Sequence, residues 1–433
     1  MKKKRFLPII GLSVAALALT SCSGGSGSAS GSDDKADNSG ETLKVWIMEG
    51  TNPDSSAFFD EVSDAFTEKT GAKLDVEFVQ WADAHDRFVT SIAGGTTPDV
   101  AETGNTWTAE FADAGGLLPI TDYIKKSGLE DDLVEGLKAS GELDGEQYGM
   151  PWYAGVRALI YRADIFKELG LEAPQNWDDI VTAGEAIKKA HPEMIPFAVP
   201  GDAEMSVYPW VWGAGGEVAT EKDGTWTSEL DSAKSVEGLE FITGLATEKG
   251  FSSAGATTWK ETDVLDNFSQ GKVAMALQGS WTPATIKANA PEMADKLAAT
   301  TIPAKDGGIA KSVLGGSHLS IFANTKKADL AWDFVELMST GEFAEKWAEQ
   351  SGYFSGQKSL VEKTIQSTDP LVAPFAKQFV EGGAALPVTP QFGAVQAKKT
   401  TPAMMQSILS GQKDVKTAAK DAAAEMTDLL NKK

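Results

Sequence analysis

The sequence predicts an α/β protein of two or more lobes built on mostly parallel sheets, and three observations predict it. Strand-like and helix-like segments alternate from residue 42 onward. About 390 residues follow a polar segment that ends near residue 40, more than one hydrophobic core usually organises. The last segment carries a single apolar stripe at helical spacing, as a helix laid on a sheet or on other helices requires.

The first strand is TLKVWIM (42–48), rich in β-formers. SAFFDEVSDAFTEKTG then sets Phe58, Phe59, Val62 and Phe66 on one helical stripe that stops at Gly71. KLDVEFV (73–79) alternates as a second strand, DAHDRFVTSIAGG is a helix stopped by glycines, and TPDVAET is a third strand. This β-α-β-α-β order implies a mostly parallel sheet covered by helices. Ligands of such sheets sit beyond the carboxyl ends of the strands. Here those ends run into EGTNP, QWADAHD and TGNTW. Farther on, LDGEQYGMP reads as an Asp-Gly hairpin, ALIYR as a strand and NWDDIVTAGEAIKKA as a helix capped by Asn176. GKVAMALQGSW and LGGSHLSIFAN are strands, and DLAWDFVELM is a helix. In the last helix Val415, Ala418, Ala419, Ala422, Met426, Leu429 and Leu430 follow the i, i+3, i+4, i+7 rule.

The N-terminus is an export signal by its pattern. MKKKRF is basic, and LPIIGLSVAALALT is apolar but short for a membrane span. Leu19, Thr20, Ser21 and Cys22, the only cysteine, resemble the lipobox of bacterial lipoproteins. That resemblance implies a signal peptide over 1–21 and a lipidated Cys22. The stretch 23–40 has no large apolar side chain, so it reads as a tether reaching roughly 24 Å. Residues 22–40 are thus expected to be a lipid-bearing flexible linker. The diacylglyceryl and acyl chains of that modification meet the two-chain requirement for stable anchoring.

The formal net charge is −23, and loss of the basic leader makes the remainder more negative. Such a surface repels phosphate backbones, so no nucleic-acid partner is expected. His85, His191 and His318 fall in no metal-binding spacing, and no G-x-S-x-G elbow occurs. S-x-x-K at 269–272 and KTG at 69–71 stand in the wrong order for a penicillin-recognising enzyme. The chain therefore offers no motif for catalytic residues, a metal or a cofactor, and none is expected. A surface-anchored glycoside hydrolase, drawing on any of 62 carboxylates, and an adhesive lipoprotein remain as alternatives.

Seven motifs in order carry a resemblance: LKVWIMEGTNP, AGGTTPDV, GGLLPIT, YGMPWYAGVRALIYRADIF, NWDDI, FSQGKVAMALQGSW and LGGSHLSIFANTKKADLAWDFV. From about residue 42 to 431 the chain resembles extracellular solute-binding proteins of the maltose-binding type, receptors of carbohydrate ABC importers. VWIMEGTNP, PWY and LGGS are similar to the actinobacterial N,N′-diacetylchitobiose-binding lipoproteins, whereas AGVRALIY departs from them. The resemblance implies a periplasmic-binding-protein-like fold, with two lobes joined by hinge strands and a ligand cleft between them. It places the N-terminal lobe at 41–153 and 316–362, and the C-terminal lobe at 154–315 and 363–433. It further implies an oligosaccharide ligand, permease subunits as partners, a monomer, and lipid anchoring to the outer face of the cell membrane.

A sugar needs flat rings against its C–H faces and forked polar groups for its hydroxyls. Trp46, Trp332 and Trp347 read as core, and Trp177 as packed locally. Trp81, Trp107, Trp152, Trp210, Trp212 and Trp281 stand beside loops and are candidates for stacking; the resemblance favours Trp152 and Trp281. Polar candidates are Glu49, Asn52, Asn105, Arg157, Ser317 and His318, with Tyr153 and Tyr353 as further aromatics. Arg157 could equally serve a hinge ion pair, His318 a buried structural role and Tyr353 the packing of the cleft rim.

Overall fold

The computed structural model describes residues 38–432; the leader 1–21, Cys22 and the tether as far as residue 37 lie outside the described residues. Nine strands form the two main sheets. They are β1 (Thr42–Glu49), β2 (Lys73–Gln80), β3 (Val100–Gly104), β4 (Met150–Gly155), β5 (Arg157–Arg162), β6 (Met275–Gly279), β7 (Leu297–Thr300), β8 (Gly315–Ile321) and β9 (Phe354–Ser355). The larger sheet has the order β9-β4-β8-β3-β1-β2, and the smaller β6-β5-β7.

Pairing is mixed, which corrects the expectation of mostly parallel sheets. β1 runs parallel to β2 from Thr42↔Lys73 to Glu49↔Gln80, and parallel to β3 at Val45↔Val100 and Trp46↔Ala101. β8 is antiparallel to both β3 and β4, and β9 is antiparallel to β4. The smaller sheet is antiparallel throughout. The cause is the path of the chain. It leaves the larger sheet at β4, passes Val156 into β5, and returns through Leu314 into β8. A strand re-entering from the second lobe meets the sheet from the end opposite to the βα units.

The third strand starts at Val100, later than TPDVAET suggested. Pro98 has no N–H for a ladder, and Asp99 leads into the strand, its N–H donating to Lys44 O at 2.9 Å and its carbonyl accepting from Phe322 N at 3.0 Å. Its carboxylate accepts from Lys44 N at 2.9 Å and Thr325 Oγ1 at 2.7 Å. The hairpin forms between Glu142–Leu143 and Glu146–Gln147, with Asp144 and Gly145 both at positive φ as a two-residue turn demands.

Helices follow the stripes. Phe58, Phe59, Val62 and Phe66 are buried on Ser56–Thr70. Asn176 caps Trp177–Ala190 by accepting from Asp179 N at 2.9 Å. The helix Val415–Leu430 buries its apolar stripe in the core of the second lobe, which also contains Trp177 and Trp210. The first lobe's core joins the larger sheet to Trp332, Trp347 and Trp152. Among the described residues no helix is long and apolar enough to cross a membrane.

Candidate functional site

Where β1, β2 and β3 end, a cleft of about 440 Å³ opens, a volume within the range of small-molecule sites. Glu49, Thr51, Gln80, Trp81, Asn105 and Trp107 line it from these strand ends, with Tyr153 and Ser317 at its floor. Arg157, Asp202, Glu204, Glu261, Trp281, Gln396 and Lys399 line it from later segments. A second cavity of about 480 Å³ shares Tyr353 with the cleft. No tryptophan lines that cavity, and no strand of a parallel pair ends in it, so the cleft is the stronger candidate.

Its aromatic rings rest on main chain. A methyl at Gly104 would stand 3.1 Å from the ring of Trp107, one at Gly155 3.0 Å from Tyr353, and one at Gly279 only 2.1 Å from Trp281. Glycine thus lets each ring lie against the end of its strand. Trp81 and Trp107 meet at 5.5 Å and both are half-exposed. Tyr153 stacks on Tyr353 at 4.2 Å, and Tyr353 meets Trp281 at 5.3 Å. The Tyr353 hydroxyl shares a 3.0 Å hydrogen bond with Thr51 Oγ1.

The four carboxylates that line the cleft all have partners, two of them cations and two of them amides. Arg157 forks onto Glu261, with Nε to Oε1 at 3.1 Å and Nη2 to Oε2 at 2.9 Å, and Ser206 Oγ donates to Oε1 at 3.1 Å. The same guanidinium lies 5.0 Å from the Trp281 ring centre. Lys399 pairs with Asp202 at 3.1 Å, Glu49 accepts from Gln80 at 2.8 Å, and Glu204 accepts from Gln396. Such a cleft offers hydrogen-bonding edges and little unbalanced charge.

Beneath the floor lies Glu102, fully buried on β3. Its Oε1 accepts from Tyr153 Oη and, at 2.7 Å, from Ser317 Oγ; its Oε2 accepts from Met48 N at 2.8 Å. Burial pushes this carboxyl up to about 7, against the three hydrogen bonds, which lower it. Tyr153 is held well above the ordinary phenol range by burial and by the nearby carboxylate.

Of the residues singled out in the sequence, Glu49, Trp81, Asn105, Trp107, Tyr153, Arg157, Trp281, Ser317 and Tyr353 are brought together at the cleft. Asn105 also ties strand ends, its Oδ1 accepting from Gly316 N at 3.1 Å. The others lie elsewhere. Trp152 is 1% exposed, stacked on Trp347 at 4.8 Å, because side chains alternate along β4 and Tyr153 takes the cleft face. Trp210 packs in the second core against Phe241 at 5.5 Å and Phe197 at 5.8 Å. Asn52 turns aside, Nδ2 donating to Pro53 O at 3.1 Å, while Thr51 takes the cleft. His318 is fully buried, sharing a hydrogen bond with Thr108 Oγ1 at Nδ1 (2.8 Å) and donating from Nε2 to Leu137 O (2.8 Å). Burial lowers it to about 4, so it stays neutral.

Sequence reading missed Glu261, Asp202, Glu204 and Lys399, since nothing local marks loops that meet only after folding. Glu102 did leave a signal, a carboxylate inside the strand-like run DVAETG. Among the described residues no cluster of three or more His, Cys, Asp or Glu could hold a metal.

The chain is 28% identical to the diacetylchitobiose-binding protein DasA of Streptomyces coelicolor over 441 residues, covering 100% of this chain and 99% of that one. A solute-binding protein of an ABC transporter from Thermotoga lettingae, solved with α-D-tagatose, superposes with a TM-score of 0.82. The two are 26% identical over 90% of this chain and all of the other. The maltose-bound MalE3 of T. maritima shares the fold at a TM-score of 0.79 and 21% identity, over 90% of this chain and all of the other. The bacterial extracellular solute-binding protein family matches residues 50–343, and with the two-lobed fold and its cleft this places the chain in that family.

Proposed function

We propose that the protein is the receptor of an ABC importer that captures a neutral oligosaccharide between its lobes and delivers it to membrane permease subunits. The observation that carries this reading is a cleft lined by aromatic rings, in which Arg157–Glu261 and Lys399–Asp202 are paired and Glu49 and Glu204 are held by glutamine amides. Rings can cover the C–H faces of a sugar, and the amides, hydroxyls and carboxylates between them can reach its hydroxyls. N,N′-diacetylchitobiose is the first sugar to test, given what the Streptomyces relative binds. The lobes divide where the chain passes between the sheets, at Val156 and at Leu314, and again near residue 362, and closure about these crossings favours the bound state because only then do both lobes touch the ligand. Export, a lipid on Cys22 at the outer face of the cell membrane, and a monomeric receptor complete the proposal.

Calorimetry on residues 41–433 with N,N′-diacetylchitobiose, maltose, trehalose, cellobiose and xylobiose tests it. One of these should bind and be recovered intact by chromatography. Binding by none rejects the reading. Turnover that disappears on replacing a single carboxylate establishes a glycoside hydrolase instead.

A further inference from the structure

We propose that Glu102, which lies under the cleft rather than in it, is a positioning residue that fixes the cleft floor, and that its ionisation sets the affinity of the cleft. This rests on the reading of the cleft as a sugar site. The geometry begins with the strands. β1 and β3 pair only at Val45↔Val100 and Trp46↔Ala101, then part where the cleft opens. That parting leaves the Met48 N–H without a partner in β3 main chain, and the Glu102 carboxylate takes it at 2.8 Å. The other carboxylate oxygen collects Tyr153 Oη from β4 and Ser317 Oγ from β8. One buried side chain therefore ties three strands together at their cleft ends. Two of its donors, Tyr153 and Ser317, line the cleft themselves. Tyr153 carries the effect onward through its 4.2 Å stack with Tyr353, whose hydroxyl bonds Thr51.

An ionised Glu102 only accepts, so both hydroxyls must point their hydrogens down and present lone pairs upward. A protonated Glu102 has a hydrogen to place among these partners, and the fixed orientation is lost. The other charged and titratable groups around it have partners of their own; Glu204, raised by burial, accepts from Gln396 across the cleft. Glu49, after Met48 on β1, is held by Gln80 on the cleft side. Tyr153 and Tyr353 are both raised by burial and stay protonated. His318, next to Ser317 on β8, is turned to Thr108 and Leu137 and is neutral. Arg157 and Glu261, the charges nearest Tyr353 in the cleft, are locked in a forked pair.

The test has a sugar-free arm and a sugar arm. In the sugar-free protein, near-ultraviolet circular dichroism from the stacked tyrosines should titrate with a midpoint near pH 7, and the signal should be flat in Glu102→Gln. Ser317→Ala removes a donor that favours the ionised form, so its midpoint should move to higher pH. In the sugar arm, N,N′-diacetylchitobiose should bind wild type about tenfold more tightly at pH 8.5 than at pH 5.5, and Glu102→Gln equally at both, as one pKa unit of linkage gives. A wild-type signal flat with pH, or an unchanged titration in Glu102→Gln, overturns the proposal, as does a wild-type affinity independent of pH. If the sugar binds at no pH, the sugar reading has failed, and the sugar-free titration still decides the role of Glu102.

Discussion

Trp107 and Trp152 carry the same side chain to opposite ends. Trp107 is half-exposed at the cleft, so Trp107→Ala should cost roughly 2 kcal/mol of sugar binding, about thirtyfold, with little change in melting temperature. Trp152→Ala should instead cost about 3–5 kcal/mol of folding stability and leave affinity intact once folded. Calorimetry and denaturant titration on the same two variants check both outcomes. The sequence made these residues look alike because each stands in or beside a loop, Trp107 among polar residues and Trp152 after Pro151, and such neighbours do not say which face of a strand follows. The buried pair Glu102 and His318 makes a second prediction. The raised carboxyl of Glu102 stabilises the fold below pH 4.5, and that contribution is lost as pH rises to about 7. The lowered imidazole of His318 works the other way: its contribution is present above pH 6.5 and lost as pH falls to about 4. Each amounts to roughly 3 kcal/mol, so the two offset one another between these limits. Glu102→Gln removes one side of the balance. Its unfolding free energy relative to wild type should therefore increase from pH 4.5 to 7, and a difference constant with pH contradicts the assignment.

Strands and helices were more legible than side-chain fates. The stripe of Phe58, Phe59, Val62 and Phe66, the Asn176 cap and the Asp144-Gly145 turn each have a local cause, so each can be read locally. The direction of β8 and β9 has no local cause. For β8 it follows from the route through the second lobe, against the expectation of mostly parallel sheets, and β9, two residues long, carries no strand pattern to read. Strand ends carry the next prediction. Gly279 closes β6 under Trp281, where a methyl would stand 2.1 Å from the indole. Gly279→Ala should force the ring off the strand end, at about 1–3 kcal/mol of stability. It should also weaken sugar binding by tenfold or more, in proportion to the displacement. A crystal structure of the variant with Trp281 unmoved would count against this account of how the ring is held.

For the whole molecule, the order of motifs was enough to indicate two lobes and a cleft. The far wall was hidden because Glu261 and Lys399 reach it from segments more than a hundred residues apart. The proposed lipid on Cys22 supplies a prediction at this scale: Cys22→Ser should move the protein from the membrane pellet to the soluble fraction with its sugar affinity unchanged. A variant that stays in the pellet refutes the lipid anchor. The glycine under Trp107 also bears on how such receptors diversify. Because this ring is only partly buried, against Gly104 and at the margin of a core beside Trp81, His85 and Phe111, exchanging it for another residue loses edge contacts rather than opening a deep cavity. Changes of ligand preference at this position therefore cost less stability than changes at a fully buried ring, which leaves the scaffold freer to serve new ligands.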